Sequence, residues 1–337
     1  MAHELDESNG KYNMAYVGDK PWHGLGQELT PDSPLDVWCK EAGMDWTVEK
    51  ADCLFNVGGE SSNIQYPNLS RPQNIRKFEK RNVLYRSDTY AGLGVVSDNY
   101  KIVQPKEALE FFKDLIADHG FTMETAGCLF GGKKFWALAK CGKSFKINGE
   151  DEIKPYLMMA SSADGTMSTA VHLTSVRVVC NNTLQMCIGA NAEKSKIKIP
   201  HQATFDANAV KQQLDIVGGA WDKFKDNVIY LSEKRITRDE AILTVGEELN
   251  IKHTVVDDVM ASSQILRNII SLYDGKGIGA NMVSANGTAW GLVNAVTQFF
   301  DHETGSKIDK SRAFERANFT DRSQFKIKIA NRLLRVA

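Results

Sequence analysis

Near Pro200 the period of the hydrophobic pattern changes, and that change constrains the fold more than any motif in the chain. Upstream, short β-branched and aromatic runs are separated by glycine turns, a texture suited to strands. Downstream, apolar residues follow a helical period over 206–232, 238–249, 255–273, 288–301 and 323–336. The expected class is α+β: a mixed or antiparallel sheet-rich N-terminal half with a crossing helix, and a mostly helical C-terminal half. The division falls into residues 1–200 and 201–337, with the option that the helices pack on the same sheet as one body.

Within the first half, strands are expected at 46–49, 53–57 and 82–86, with a loop from Gly58 to about Lys80 that carries Arg71, Arg76, Lys77 and Lys80. Pro21-Trp22-His23-Gly24-Leu25-Gly26 reads as an aromatic-glycine turn that pins the N-terminal arm. Ser33 as N-cap and Pro34 at the first helical position open a helix over 35–42, which Gly43 closes. A second helix starts at Pro105 and ends at Gly120, with Ala108, Leu109, Phe112, Leu115 and Ile116 at helical spacing. The paired glycines of Gly131-Gly132-Lys133 supply positive φ for a hairpin between strands at 121–130 and 134–141. Strands at 156–160 and 169–179 complete the half, and Asn181-Asn182-Thr183 reads as the cap of a helix beginning at Leu184.

With 337 residues, 42% hydrophobic and 25% charged, the chain has material for two cores. No stretch approaches the roughly 20 apolar residues of a membrane span, and the first residues are acidic where a secretory signal is basic and then apolar. No membrane association is expected, and the location inferred is cytoplasmic. Six cysteines without a Cys-x-x-Cys pair indicate reduced thiols. Dispersed histidines give no metal-ligand spacing, so no metal and no cofactor are expected.

The net charge of −1 excludes a uniformly basic molecule, yet the charge is unevenly placed. Residues 131–146 hold five lysines and no acid, while residues 304–337 hold nine basic residues against three acids. Lys133, Lys134, Lys140 and Lys143 beside Phe135 and Trp136 suit a single-stranded nucleic acid, because amines follow phosphates while an aromatic ring stacks a base. The plainer reading is a core strand with lysines at its wet edge. Arg312, Arg316, Arg322, Lys326 and Lys328 also suit phosphate contact, although Phe325, Ile329 and Leu333 show a helix that packs. Arg177 interrupts an apolar strand face and requires a partner, either a carboxylate such as Asp164 or a ligand phosphate.

Catalytic readings have less support. Cys180 with His172 as base fails on reach, since eight residues of extended strand span about 26 Å. The run Asp274-Gly275-Lys276-Gly277-Ile278-Gly279 lacks the order of a phosphate-binding loop. Asn294, Thr297, Gln298 and Asp301 form a polar row on the helix at 288–301, readable as a binding row or as a solvated face.

The blocks Pro21-Trp22-His23-Gly24-Leu25-Gly26, Ala42-Gly43-Met44-Asp45-Trp46, Val95-Val96-Ser97-Asp98-Asn99-Tyr100, Arg177 to Leu184 and Asn294 to His302 are distributed over nearly the whole chain. Their order resembles the phage/plasmid-like proteins catalogued as domain of unknown function nine hundred thirty-two. Where that family favours a glutamate and a tyrosine, this chain has Gln298 and Phe299. The resemblance implies an origin on mobile elements and no catalytic residues. The leading expectation is a non-catalytic nucleic-acid-binding protein, in its narrower form a single-strand annealing or recombination factor, with single-stranded DNA as partner and a homo-oligomeric state. The alternatives are an accessory protein that binds a host protein, and a hydrolase or transferase using Asp164, His172 and Arg177.

Overall fold

The computed structural model describes residues 5, 7–8, 10–18, 24–57, 75–142, 144–177, 182–185, 196–206, 208–210, 212, 218–303 and 321–335, with the backbone alone described at Ser8, Asp114, His119, Val176, Arg177, 182–185, Lys196, 218–220 and 321–323. The turn expected at Pro21-Trp22-His23 lies outside them.

The N-terminal arm contributes β1 (Glu7–Ser8), β2 (Lys11–Tyr12), β3 (Met14–Tyr16) and β4 (Gln27–Glu28). Helix α1 (Leu35–Glu41) has Pro34 at its N-cap rather than at its first turn, and Ser33 Oγ lies 3.0 Å from Thr30 Oγ1 instead of capping. Gly43 closes the helix at φ 66°, where a Cβ would come 2.3 Å from the Asn13 side chain.

Strands β5 (Val48–Asn56) and β6 (Ile75–Arg86) form one long antiparallel ribbon, and β7 (Gly92–Ser97) pairs with the inner part of β6. Arg76, Lys77 and Lys80 are therefore strand residues and not loop residues, because pairing such as Leu54 with Lys77 and Phe55 with Arg76 satisfies their backbone. Helices α2 (Pro105–Glu110) and α3 (Lys113–His119) replace the single helix expected here. The break falls at Phe111 and Phe112, whose buried rings meet edge to face at 5.1 Å, and Gly120 ends α3 at φ 67°.

Strands β8 (Thr122–Leu129) and β9 (Lys134–Lys140) are joined through Phe130, Gly131 and Gly132, all at positive φ. Then come β10 (Phe145–Ile147), β11 (Asp151–Ser162), β12 (Thr169–Arg177), β13 (Asn182–Gln185) and β14 (Lys196–Ile199). Leu184 and Gln185 thus extend a strand where a helix was expected. The edge of β12 supplies backbone partners to the returning chain, pairing Arg177 with Asn182 and Thr174 with Gln185. The main sheet runs β13-β12-β11-β9-β8-β3-β4, with β10 beside β11 and β14 beside β12. Its described pairs are antiparallel apart from β3 with β4.

The second half supplies α4 (Gly218–Glu233), α5 (Arg238–Glu248), α6 (Val256–Ser262), α7 (Gln264–Ser271), α8 (Ala289–Gln298) and α9 (Asp321–Arg335). One-turn π segments follow α7 at 272–276 and α8 at 299–303. The protein is α+β, with the sheets in the first half and the helices concentrated in the second. Side-chain alternation divides the main sheet. Ala126, Cys128, Phe135, Ala137, Leu157, Met159 and Val171 share a core with Trp38 of α1, Leu109 of α2, Phe112 at the α2–α3 break, and Val48, Leu84 and Val96 of the β5–β6–β7 sheet. Met14, Leu129, Trp136, Met158 and Ala160 pack together in another cluster. Ile147 and Ile153 carry the sheet into the helical core of Phe224, Ile269, Val293 and Ile329. No helix among the described residues is long and apolar enough to cross a membrane.

Candidate functional site

Strand β9 is central, flanked by β8 and β11, and this decides the fate of the lysine-aromatic hairpin. Phe135 is 1% exposed and Trp136 7%, on opposite faces of the sheet. The Trp136 Nε1–H donates to Thr125 Oγ1 at 3.4 Å, and its ring lies over Gly127, where a Cβ would come within 2.6 Å. Neither ring reaches a base from that position. Lys134 is buried with its Nζ 5.4 Å from the Phe130 ring centroid, and Lys133 and Lys140 are half-buried. The wet edge expected at this strand is absent, because strands pair along both of its sides.

The remaining expected contacts are scattered. Lys143, Arg312 and Arg316 lie outside the described residues, and the side chains of Arg177 and Arg322 are not described. Asp164 is not placed to meet Arg177. It sits in the β11–β12 turn, bonding Thr166 through Oδ1, while Arg177 ends β12 about 26 Å along the strand from Thr169. Lys326 is 2% exposed and ion-paired to Asp301 at 2.7 Å, whereas Lys328 is exposed. Cys180 is not described, and His172 is fully buried opposite Met158.

The polar row of α8 faces inward rather than toward solvent. Asn294 donates to the Trp290 carbonyl, Thr297 to the Val293 carbonyl, and Gln298 accepts from the Ile278 amide at 2.8 Å while donating to Glu303. The Gln298 contact also anchors the glycine-rich loop. Nearby, the buried Asp151 carboxylate accepts from Ser284 Oγ at 2.6 Å and Trp290 Nε1 at 3.3 Å, tying β11 to the start of α8. These groups hold structure. No group of three or more histidines, cysteines or carboxylates with metal-binding geometry occurs among the described residues.

A different surface brings basic and aromatic side chains into solvent. In the β5–β6–β7 sheet, Val48, Leu84 and Val96 point to the core, so the alternate residues Ala51, Val83 and Val95, which are paired in register, form a row on the outer face. Val95 is 56% exposed. Next to this row, Tyr85 stacks on Tyr90 with centroids 6.4 Å apart and Tyr90 78% exposed. Toward the end of the ribbon, Phe55 and Phe78 meet edge to face at 6.1 Å, 46% and 52% exposed. Arg76 stands opposite Phe55, and Arg81 opposite Ser97. Glu49, paired with Tyr85, shares this face and accepts from the Thr47 hydroxyl at 2.7 Å.

The ribbon is irregular where these groups gather. Between the pairs Asp52–Asn82 and Leu54–Lys77, β5 has one residue, Cys53, and β6 has four, Phe78 to Arg81. Lys80 takes φ 58° to absorb the excess. Such a bulge bends a strand and re-aims its side chains. Reading 75–80 as loop hid this arrangement; the alternation of Val83, Tyr85 and Val95 with buried neighbours was the signal for it.

Comparison with known proteins gives one finding: the family model described as Domain of unknown function (DUF932) matches residues 92–322. The match begins at the first residue of β7 and leaves β5 and β6 upstream. No curated protein and no solved structure matches the chain.

Proposed function

The chain belongs to this family of unknown function, and from its own surface we propose that it is a non-catalytic nucleic-acid-binding protein that takes a single strand on the outer face of the β5–β6–β7 sheet. The observation that carries the reading is the pair of solvent-facing aromatic contacts, Phe55 with Phe78 and Tyr85 with Tyr90, on a face that also holds Arg76 and Arg81. Exposed rings on an open sheet stack bases without regard to sequence, and cations beside them follow the backbone. In its narrower form the activity is strand annealing or recombination on a phage or plasmid.

The test is fluorescence anisotropy of a labelled single-stranded oligonucleotide, with duplex as competitor, titrated across a salt series. Binding that prefers the single strand, weakens with salt and falls in a Phe55→Ala/Phe78→Ala variant supports the reading. Absence of binding at low salt overturns it. The outer apolar row of exposed Ala51 and Val95 with half-buried Val83 favours a second reading, a host protein as partner. That reading gains if a defined protein binds the wild-type chain and is lost to a Val95→Lys variant.

A further inference from the structure

We propose that the two aromatic contacts of the outer face are separate base-stacking stations for one strand, which sets a minimum length for the single strand that binds tightly. This inference rests on the nucleic-acid reading above and names the length class of its ligand. It begins from register. Glu49 pairs with Tyr85, and Phe55 pairs with Arg76. The six residues of β5 from Glu49 to Phe55 rise about 20 Å in all. The Tyr85–Tyr90 contact and the Phe55–Phe78 contact stand at the two ends of that rise. No single base covers both.

The paired positions between the stations carry no acid on the outer face. They are Ala51 on β5, Arg81 and Val83 on β6, and Val95 and Ser97 on β7. Asp52 and Asn82 point to the reverse face, where Asp52 holds Lys77 at 2.9 Å and Asn82 donates to Asp98 at 2.6 Å. A polyanion crossing the outer face thus meets a cation at Arg81 and no carboxylate at these positions.

The two ends differ in charge. Arg76 stands opposite Phe55, whereas Glu49 stands opposite Tyr85. The Phe55–Phe78 end therefore attracts a phosphate beside its stacked base, while the Tyr85–Tyr90 end holds a base by stacking alone. A dinucleotide has one step, too short to bridge the stations, and occupies the Phe55–Phe78 end. A stacked strand rises about 3.4 Å per nucleotide, so about seven nucleotides set a base on each station. Once one end is bound, the other base is held near its ring at an effective concentration of roughly millimolar order, and the two contacts reinforce each other.

The experiment titrates the full chain with deoxyadenosine oligonucleotides, from the dinucleotide to about twelve nucleotides, in competition with a labelled long strand. Wild type, Tyr90→Ala and Phe55→Ala/Phe78→Ala are compared. All three substituted side chains are exposed, and thermal melts check that each variant is folded. Wild-type affinity is expected to rise gradually with added phosphates and to step up about tenfold or more near seven nucleotides. Tyr90→Ala should abolish the step and leave dinucleotide affinity within about twofold of wild type. Phe55→Ala/Phe78→Ala should weaken binding at every length. A second readout uses two deoxyadenosine dinucleotides joined by a neutral ethylene-glycol linker, which adds no phosphate as it lengthens. Their affinity should pass through a maximum with linker length, as two bridged points require. A smooth rise with oligonucleotide length, the absence of a maximum with the linker, or a Tyr90→Ala loss equal for dinucleotide and long strand overturns the two-station proposal and leaves single-strand binding standing. Absence of binding at every length in low salt overturns both.

Discussion

The guanidinium carbon of Arg86 lies 4.2 Å from the ring centroid of Trp46. This contact fixes the root of the β5–β6 ribbon to the main body. From the same position Arg86 donates through Nε and Nη2 to the two carboxylate oxygens of Asp88, at 2.9 and 2.7 Å, and through Nη1 to the Gly131 carbonyl at 3.3 Å. A planar fork meets three requirements that an ammonium does not. Arg86→Lys should therefore destabilise the fold by about 1–3 kcal/mol, read from the midpoint of chemical denaturation. A smaller shift, within about 0.5 kcal/mol, would show that the cluster contributes little.

The same cluster gives stability a pH dependence. Hydrogen bonds from Arg86 hold the Asp88 carboxyl below its ordinary range, against the opposing effect of burial. Because the folded value is the depressed one, the contribution is complete above the unfolded carboxylate pKa. It disappears as the pH falls through the folded value. Thermal stability measured between about pH 5 and pH 2 should decline less steeply in Asp88→Asn than in the wild type, from a lower starting point. Equal slopes would remove Asp88 from the acid transition.

Local chemistry made part of this fold legible in sequence. Pro105, Gly120 and the Gly131-Gly132 turn act through their own φ angles, and each marks an element end in the structure. What sequence did not reveal depends on partners distant in the chain. Asn182 to Gln185 is a strand because β12 offers an edge. The segment 75–80 is a strand because β5 lies beside it. Trp136 is buried because β8 and β11 enclose β9, a fact that no count of nearby lysines contains. The candidate surface was obscured for the same reason. Its rings come from β5, β6 and the turn before β7, and only the register across the bulge brings Phe55 to Phe78.

Burial of Trp136 makes a prediction that separates structure from binding. Gly127→Ala would place a methyl group 2.6 Å from the Trp136 ring and 2.7 Å from the Asn13 carbonyl, both inside contact distance. It should destabilise the fold by about 1–3 kcal/mol. Trp136→Ala should cost about 3–5 kcal/mol. In both variants, oligonucleotide affinity per folded molecule should stay at the wild-type level, with the folded fraction determined by circular dichroism. Reduced affinity in fully folded Trp136→Ala would return the β8–β9 hairpin to the binding surface.

Lys326 and Asp301 form a buried ion pair between α9 and the π segment after α8, with side chains 2% and 5% exposed. Removing one partner breaks this pair inside the protein. Lys326→Met should therefore cost about 3–5 kcal/mol, while Lys326→Met combined with Asp301→Leu should recover a large part of that loss. A double-mutant cycle by urea denaturation measures the coupling. Additive losses would show that the two residues act separately.

Salt dependence tests the nucleic-acid surface more sharply than affinity does. Each cation that neutralises a phosphate releases a counter-ion, with a slope of about 0.7 per contact on a single strand. Arg76→Gln and Arg81→Gln should each lower the slope of log affinity against log salt by about that amount. Phe55→Ala and Phe78→Ala should leave the slope unchanged while costing about 1–3 kcal/mol each through lost stacking. Arg81 is the last residue of the bulged segment and Arg76 stands opposite Phe55, so the paired variants sample both ends of the same strip. Should the phenylalanine variants change the slope, or the arginine variants leave it intact, the strand would run elsewhere. The exposed rings of the ribbon would then answer to a protein partner.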